Sequence, residues 1–130
     1  MKPAKRIIKL PLFPIEYFLF VGEDIKDAHK KLTEEFLGIE ERKDFGNAVA
    51  ETEVIKNKEG KVFFIVKIQE DSSIEVVVHE ALHLTHLILK SLKMEVNAKN
   101  DELECYIQAD IIKNILKTIS ITKYNCFLNC

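Results

Sequence analysis

Two histidines four residues apart flank a glutamate in the run His79-Glu80-Ala81-Leu82-His83. Side chains at i and i+4 share one face of an α-helix, so the two imidazoles can each offer a nitrogen to a single ion. Glu80 lies one step, about 100°, round the cylinder. That offset keeps its carboxylate off the ion but within reach of a water bound to it, where a general base has to sit. Ser72 and Glu75 form an S-x-x-E capping box, and no Gly or Pro interrupts Ile74 to Lys93, so the context is helical. Val77, Val78, Ala81, Leu82, Ile88, Leu89 and Leu92 gather on one side of this helix, and Glu75, His79, His83, His86 and Lys90 on the other. Three of the chain's four histidines on one strip point to zinc rather than to a merely solvated face.

A hydrolytic zinc site needs three protein donors and one open position. His86 points the same way, but a straight helix cannot wrap three successive turns around one tetrahedral ion, so His86 is read as a neighbour of the donors or a pocket wall. The third donor is expected in Asn100 to Tyr106, at the start of a second helix running to about Ile119. There Cys105, Ala109, Ile112, Leu116 and Ile119 form the stripe expected to face the core. Glu102 lies roughly 60° from the centre of that stripe and Glu104 roughly 100° off on the opposite flank. Asp101 as N-cap would also give Glu104 a structural role at the third helical position of a capping box. Glu102 is therefore the preferred ligand and Glu104 the alternative. Tyr106, Tyr17, His86 and Tyr124 are candidate donors to an oxyanion.

The arrangement His79-Glu80-x-x-His83 followed by Asn100-Asp101-Glu102-x-x-Cys105-Tyr106 resembles the gluzincins. More closely it is similar to the small HExxH proteins of phages and prophages, minimal zincin-like domains, through Val78, His79, Glu80, His83, Ile88, Leu89, Asn100, Asp101, Glu102, Tyr106 and Ile107. The resemblance covers about residues 50 to 118. Two positions depart from the usual pattern: Lys93 stands where that family often has Gly after the first helix, and Cys105 replaces the common Ala. The resemblance implies a zinc-binding, peptidase-like site with Glu102 as the carboxylate ligand.

Around this site the chain reads as a small α+β domain, with about three mainly antiparallel strands, one upstream helix and two C-terminal helices. Ile15 to Val21 is rich in aromatic and β-branched residues and ends at Gly22, a strand. Asp24 or Asp27 caps a helix running to Leu37, with Ile25, Ala28, Leu32 and Phe36 as its apolar seam and Gly38 as its stop. Ala48 to Ile55 and Lys61 to Gln69 read as two strands joined by Asn57-Lys58-Glu59-Gly60, a hairpin. By analogy with zincins, Val62 to Ile68 is the candidate cleft rim. The basic stretch Lys2 to Lys9, within residues 1–14, reads as a loose arm, and residues 120–130 as a tail.

With 130 residues, 47% hydrophobic and 31% charged, the chain suits one domain spanning residues 1–130. A net charge of −2 gives no electrostatic case for nucleic acid. The apolar run Ile15 to Gly22 is too short to cross a bilayer and has no small-residue cleavage site, so no membrane anchor or signal peptide is expected, and the location expected is the cytoplasm. Three cysteines make no disulfide framework; Cys126 and Cys130 are expected as reduced thiols, and Cys105 as a small buried residue. The expected activity is zinc-dependent hydrolysis of a peptide or protein, with Glu80 as base. The competing expectation is a zinc-binding structural or regulatory protein of phage or prophage type.

Overall fold

The computed structural model describes residues 3–11, 13–36, 38–39 and 44–129, the last nine by their backbone alone. The chain is α+β. Four strands, β1 (Ala4–Lys9), β2 (Glu16–Gly22), β3 (Ala50–Lys56) and β4 (Val62–Gln69), form one mixed sheet in the order β1-β2-β4-β3. The β1–β2 and β3–β4 pairs are antiparallel, and the central β2–β4 pair is parallel. Helix α1 (Ile25–Glu35) covers one face of the sheet, and α2 (Ile74–Ser91) and α3 (Asp101–Asn129) cover the other.

The strand not expected from sequence is β1, which falls in the stretch read as a loose arm. Its basic residues suggest a solvated tail, yet they suit an edge strand, where charge blocks unwanted pairing. Lys5 reaches Glu35 on α1 at 2.8 Å, and Arg6 donates to Thr118 Oγ1 on α3 at 2.9 Å, so β1 is tied to both helical layers. Alternation sorts the interior strands. Tyr17, Leu19, Val21, Phe64, Val66 and Ile68 pack toward α2 and α3, whereas Phe18, Phe20 and Ile65 meet Ala28 and Leu32 of α1. Because β4 lies between β2 and β3, Val62 to Ile68 cannot form a cleft rim. Among the described residues, the edge strand on that side is β3.

The face toward α1 also buries a charge. Lys67 on β4 is 0% exposed, with its Nζ 3.0 Å from Glu51 Oε1 and 3.6 Å from Glu53 Oε1 on β3, and 3.0 Å from His29 Nδ1 on α1. A buried ammonium is tolerated only with partners of this kind.

Asp24, one of the two expected caps, starts α1 by accepting from the Asp27 backbone N–H at 3.0 Å. The helix stops at Glu35; Leu37 lies outside the described residues. After β2, Gly22 is required by space: a Cβ there would stand 2.7 Å from the Ala28 nitrogen and 2.8 Å from the Asp24 carbonyl oxygen. In the hairpin, the Asn57 side chain accepts from the Glu59 and Lys61 N–H groups at 3.0 and 2.9 Å.

The expected helix boundaries need three corrections. The cap of α2 is Ser73, which accepts from Val76 N–H, rather than Ser72. Asp101 is not a cap. Its φ and ψ of −59° and −45° are helical, because Ala98–Asn100 already forms a 3-10 turn capped by Asn97. With no Gly or Pro beyond Asp101, α3 continues through the segment read as a tail to Asn129.

Helix α2 closes in a Schellman motif: Met94 N–H donates to Leu89 O at 2.9 Å and Lys93 N–H to Lys90 O at 3.0 Å. Lys93 sits there at φ 59°, in the left-handed region that favours Gly. This is the position where the resembling family often carries Gly. Replacing Lys93 by Gly is expected to raise stability by about 1 kcal/mol, because the left-handed penalty of a side chain is relieved. Urea denaturation of the two proteins measures it, and an unchanged or lower midpoint would contradict the account.

Candidate metal centre

The orientation of α2 follows from what it must bury. Val77, Ala81, Leu84, Thr85, Ile88 and Leu89 face the sheet and α3. Val78 and Leu82, expected on the same face, remain partly open to solvent. The strip opposite the core carries His79, His83 and His86, which span only about 60° of the helix surface.

On that strip the His79 and His83 Nε2 atoms stand 3.0 Å apart, with the rings edge-to-face at 79° and centroids 4.6 Å apart. Two imidazole nitrogens at ordinary zinc distances of about 2.0–2.1 Å in a tetrahedron would be about 3.3 Å apart, so the pair is almost at the spacing one ion demands. As a hydrogen bond, this 3.0 Å contact has one Nε2 donating and the other accepting. Holding an ion requires lone pairs on both, with the proton of each ring on Nδ1.

Glu80 points elsewhere on the helix. It is 7% exposed, and Thr52 on β3 donates to its Oε2 at 2.5 Å. The same hydroxyl lies 3.4 Å from the Glu80 carbonyl oxygen, but its single proton serves the short contact. Thr52 was not singled out from sequence. Nothing in the alternation of Ala50–Lys56 distinguishes it, since its role depends on β3 lying beneath α2.

The acidic start of α3 departs from expectation in its rotation. The buried stripe is Ile107, Ile111, Ile115, Thr118 and Ile119, not Cys105, Ala109, Ile112, Leu116 and Ile119. Cys105 and Ala109 are exposed, and Leu116 is 39% exposed. The stripe is turned by roughly 110° from the expected one. The physical reason is area: four isoleucines bury far more apolar surface than a line containing Cys and Ala. The turn brings Glu104 close to the centre of the inward face and leaves Glu102 exposed near the opposite side. His86 Nε2 donates to Glu104 Oε1 at 3.1 Å, linking α2 to α3. Since Asp101 is helical rather than a cap, the capping role expected for Glu104 is replaced by this contact.

Of the candidate oxyanion donors, Tyr17 is wholly buried, and its hydroxyl has no hydrogen-bond partner among the described residues. Burial above all, and then the Asp110 carboxylate, push its pKa far above the ordinary phenol value despite Arg6. Tyr106 is 47% exposed on α3, and the Tyr124 side chain lies outside the described residues, as do those of Cys126 and Cys130. The Cys105 thiol has its pKa raised, chiefly by the Asp101 carboxylate, which disfavours the thiolate an ion would need. Among the described residues, no three His, Cys, Asp or Glu side chains converge as a ready metal-holding group. Two donors are thus paired on α2, and His86, three residues beyond His83 on the same strip, holds the Glu104 carboxylate of α3. Compared with known protein families, curated proteins and solved structures, the chain matches none.

Proposed function

We propose that the chain is a zinc-dependent hydrolase cleaving amide bonds in a peptide or protein, in the manner of the small phage and prophage HExxH proteins it resembles, and that it works in the cytoplasm. The observation that carries the reading is the convergence of the His79 and His83 Nε2 atoms to 3.0 Å on the outward strip of α2. No helix of the described residues is long and apolar enough to cross a membrane, which is compatible with that location.

His79 and His83 would hold the ion, with a carboxylate from the start of α3, Glu102 by the resemblance, as third donor. Zinc bound there supplies Lewis acidity and a water acidified toward neutrality. Glu80 accepts a proton at a carboxylate oxygen and returns it to the leaving amine. Thr52 engages Oε2 and so restricts the rotation of that carboxylate. The edge strand β3, which carries Thr52, offers main-chain groups to which an extended substrate can add as a further strand. Of the groups considered for an oxyanion, His86 has its Nε2 engaged by Glu104, and Tyr106 stands exposed on the outer side of α3.

One observation favours a second reading, a zinc-binding structural or regulatory protein. Glu80 is withdrawn against β3 rather than standing open beside the histidines. The two readings separate on Glu80→Gln, which keeps size and the contact with Thr52 but cannot take a proton. As a hydrolase, the variant retains zinc while peptide cleavage falls by about 10²–10⁴-fold. Cleavage at the parent rate would remove Glu80 from the mechanism, and no cleavage by either protein across a broad peptide library would favour the second reading.

Zinc is also expected to stabilise the fold without creating it. A ligand held only by the folded state adds RT ln(1 + [L]/Kd), about 4 kcal/mol at a thousandfold excess over Kd. The apolar cores on both faces of the sheet need no ion. Chelation should therefore lower the melting temperature and leave the circular dichroism of a folded protein. Complete unfolding on chelation would mark the ion as primarily structural.

A further inference from the structure

The structure assigns Glu104, rather than Glu102, as the carboxylate that completes the His79–His83 pair, with His86 as the residue that positions it. This assignment rests on the zinc-binding reading and departs from the ligand that the resemblance implies.

Three independent observations carry it. First, the isoleucine line Ile107, Ile111, Ile115 and Ile119 fixes the rotation of α3, and that rotation turns Glu104 toward α2 and Glu102 toward solvent. Second, the Glu104 side chain is only 18% exposed and already crosses to α2, with Oε1 3.1 Å from His86 Nε2. His86 follows His83 by three residues, about 4.5 Å along the axis, so the carboxylate is held about one helical turn from the pair, from which a change of side-chain rotamer must bring it to the ion. Third, the local duty that would otherwise account for Glu104 is gone, because Asp101 is inside the helical run and Asn97 makes the cap.

The contact also defines the part played by His86. A ring that donates through Nε2 to a carboxylate cannot present the same nitrogen to an ion. It holds the carboxylate through one oxygen, as hydrogen-bonding partners of metal ligands commonly do. His86 is thus a positioning residue.

The test is zinc affinity, by competition with a chromophoric chelator, together with the zinc-induced rise in melting temperature. Both are measured for the parent chain and for Glu104→Gln, Glu102→Gln and His86→Gln, with each variant's melting temperature in chelator as a control for folding. Glu104→Gln should weaken zinc by more than about a hundredfold and remove the rise, His86→Gln should weaken it by about tenfold, and Glu102→Gln should stay within about threefold of the parent. A merely structural helix-to-helix contact would lower the chelated melting temperature of Glu104→Gln and leave its zinc-induced rise intact, which overturns the assignment. So does loss of zinc in Glu102→Gln with retention in Glu104→Gln. If Glu104→Gln does not fold, Glu104→Asp, which keeps the charge on a shorter arm, must show the weakened affinity instead. A parent chain that binds no zinc sinks the underlying reading and the assignment together, whereas a parent that binds it through Glu102 sinks the assignment alone.

Discussion

A straight helix has one side to bury, and α2 spends that side on the sheet. Val77, Ala81, Leu84 and Ile88 recur at three- and four-residue steps and are all fully buried, so the rotation of the helix is fixed by apolar area before any polar contact is considered. At roughly 25 cal/mol per Å² of apolar surface, turning the helix by one residue would expose several kcal/mol of core to water. No surface contact of the histidines could offset that. The convergence of His79 and His83 is thus a by-product of packing: the residues opposite the buried line face outward together, and a spacing of four keeps them on one strip. The same rotation drives Glu80 sideways onto β3, where Thr52 satisfies a carboxylate that burial would otherwise leave costly.

The second helix shows how such a constraint is misread. On α2 the apolar line is dense enough that sequence alone places the core side to within a residue or two. On α3 two apolar lines compete, one through Cys105, Ala109, Ile112 and Leu116 and one through Ile107, Ile111 and Ile115. Periodicity cannot choose between them, because both repeat at helical intervals. The sheet chooses, by offering Tyr17, Leu19 and Phe64 a surface that large β-branched residues fill and Cys and Ala do not. Which of Glu102 and Glu104 faces α2 depends on that rotation, and periodicity alone does not supply it.

Elsewhere legibility followed the strength of local signals. The hairpin at Asn57 to Gly60, the strand ending at Gly22 and the Asp24 cap each depend on short-range chemistry, and each lies where the residues indicate. Strand β1 was hidden because Lys5, Arg6 and Lys9 resemble a solvated arm, whereas Lys5 and Arg6 work through partners 30 and 112 positions away, Glu35 and Thr118. The parallel β2–β4 pairing was hidden for a similar reason: sequence order places β3 before β4, yet it is β4 that inserts beside β2. That inversion moves the edge from β4 to β3.

The register of β3 links the two faces of the sheet. Along this strand Glu51 and Glu53 point to the α1 side, where they meet the buried Lys67 ammonium, and Thr52 points to the other side, where it meets Glu80. Because successive residues of a strand face opposite ways, a slip of one residue against β4 would exchange these sets. Thr52 would then confront Lys67 without a charge to offer, and a glutamate would be pressed against the Glu80 carboxylate in a site that is nearly dry. Both consequences are unfavourable by the cost of burying unpaired or like charges, several kcal/mol each. The ion pairs under α1 therefore do more than satisfy one lysine. They hold β3 in the register that brings a neutral hydroxyl, and not an acid, to the glutamate beside the histidine pair.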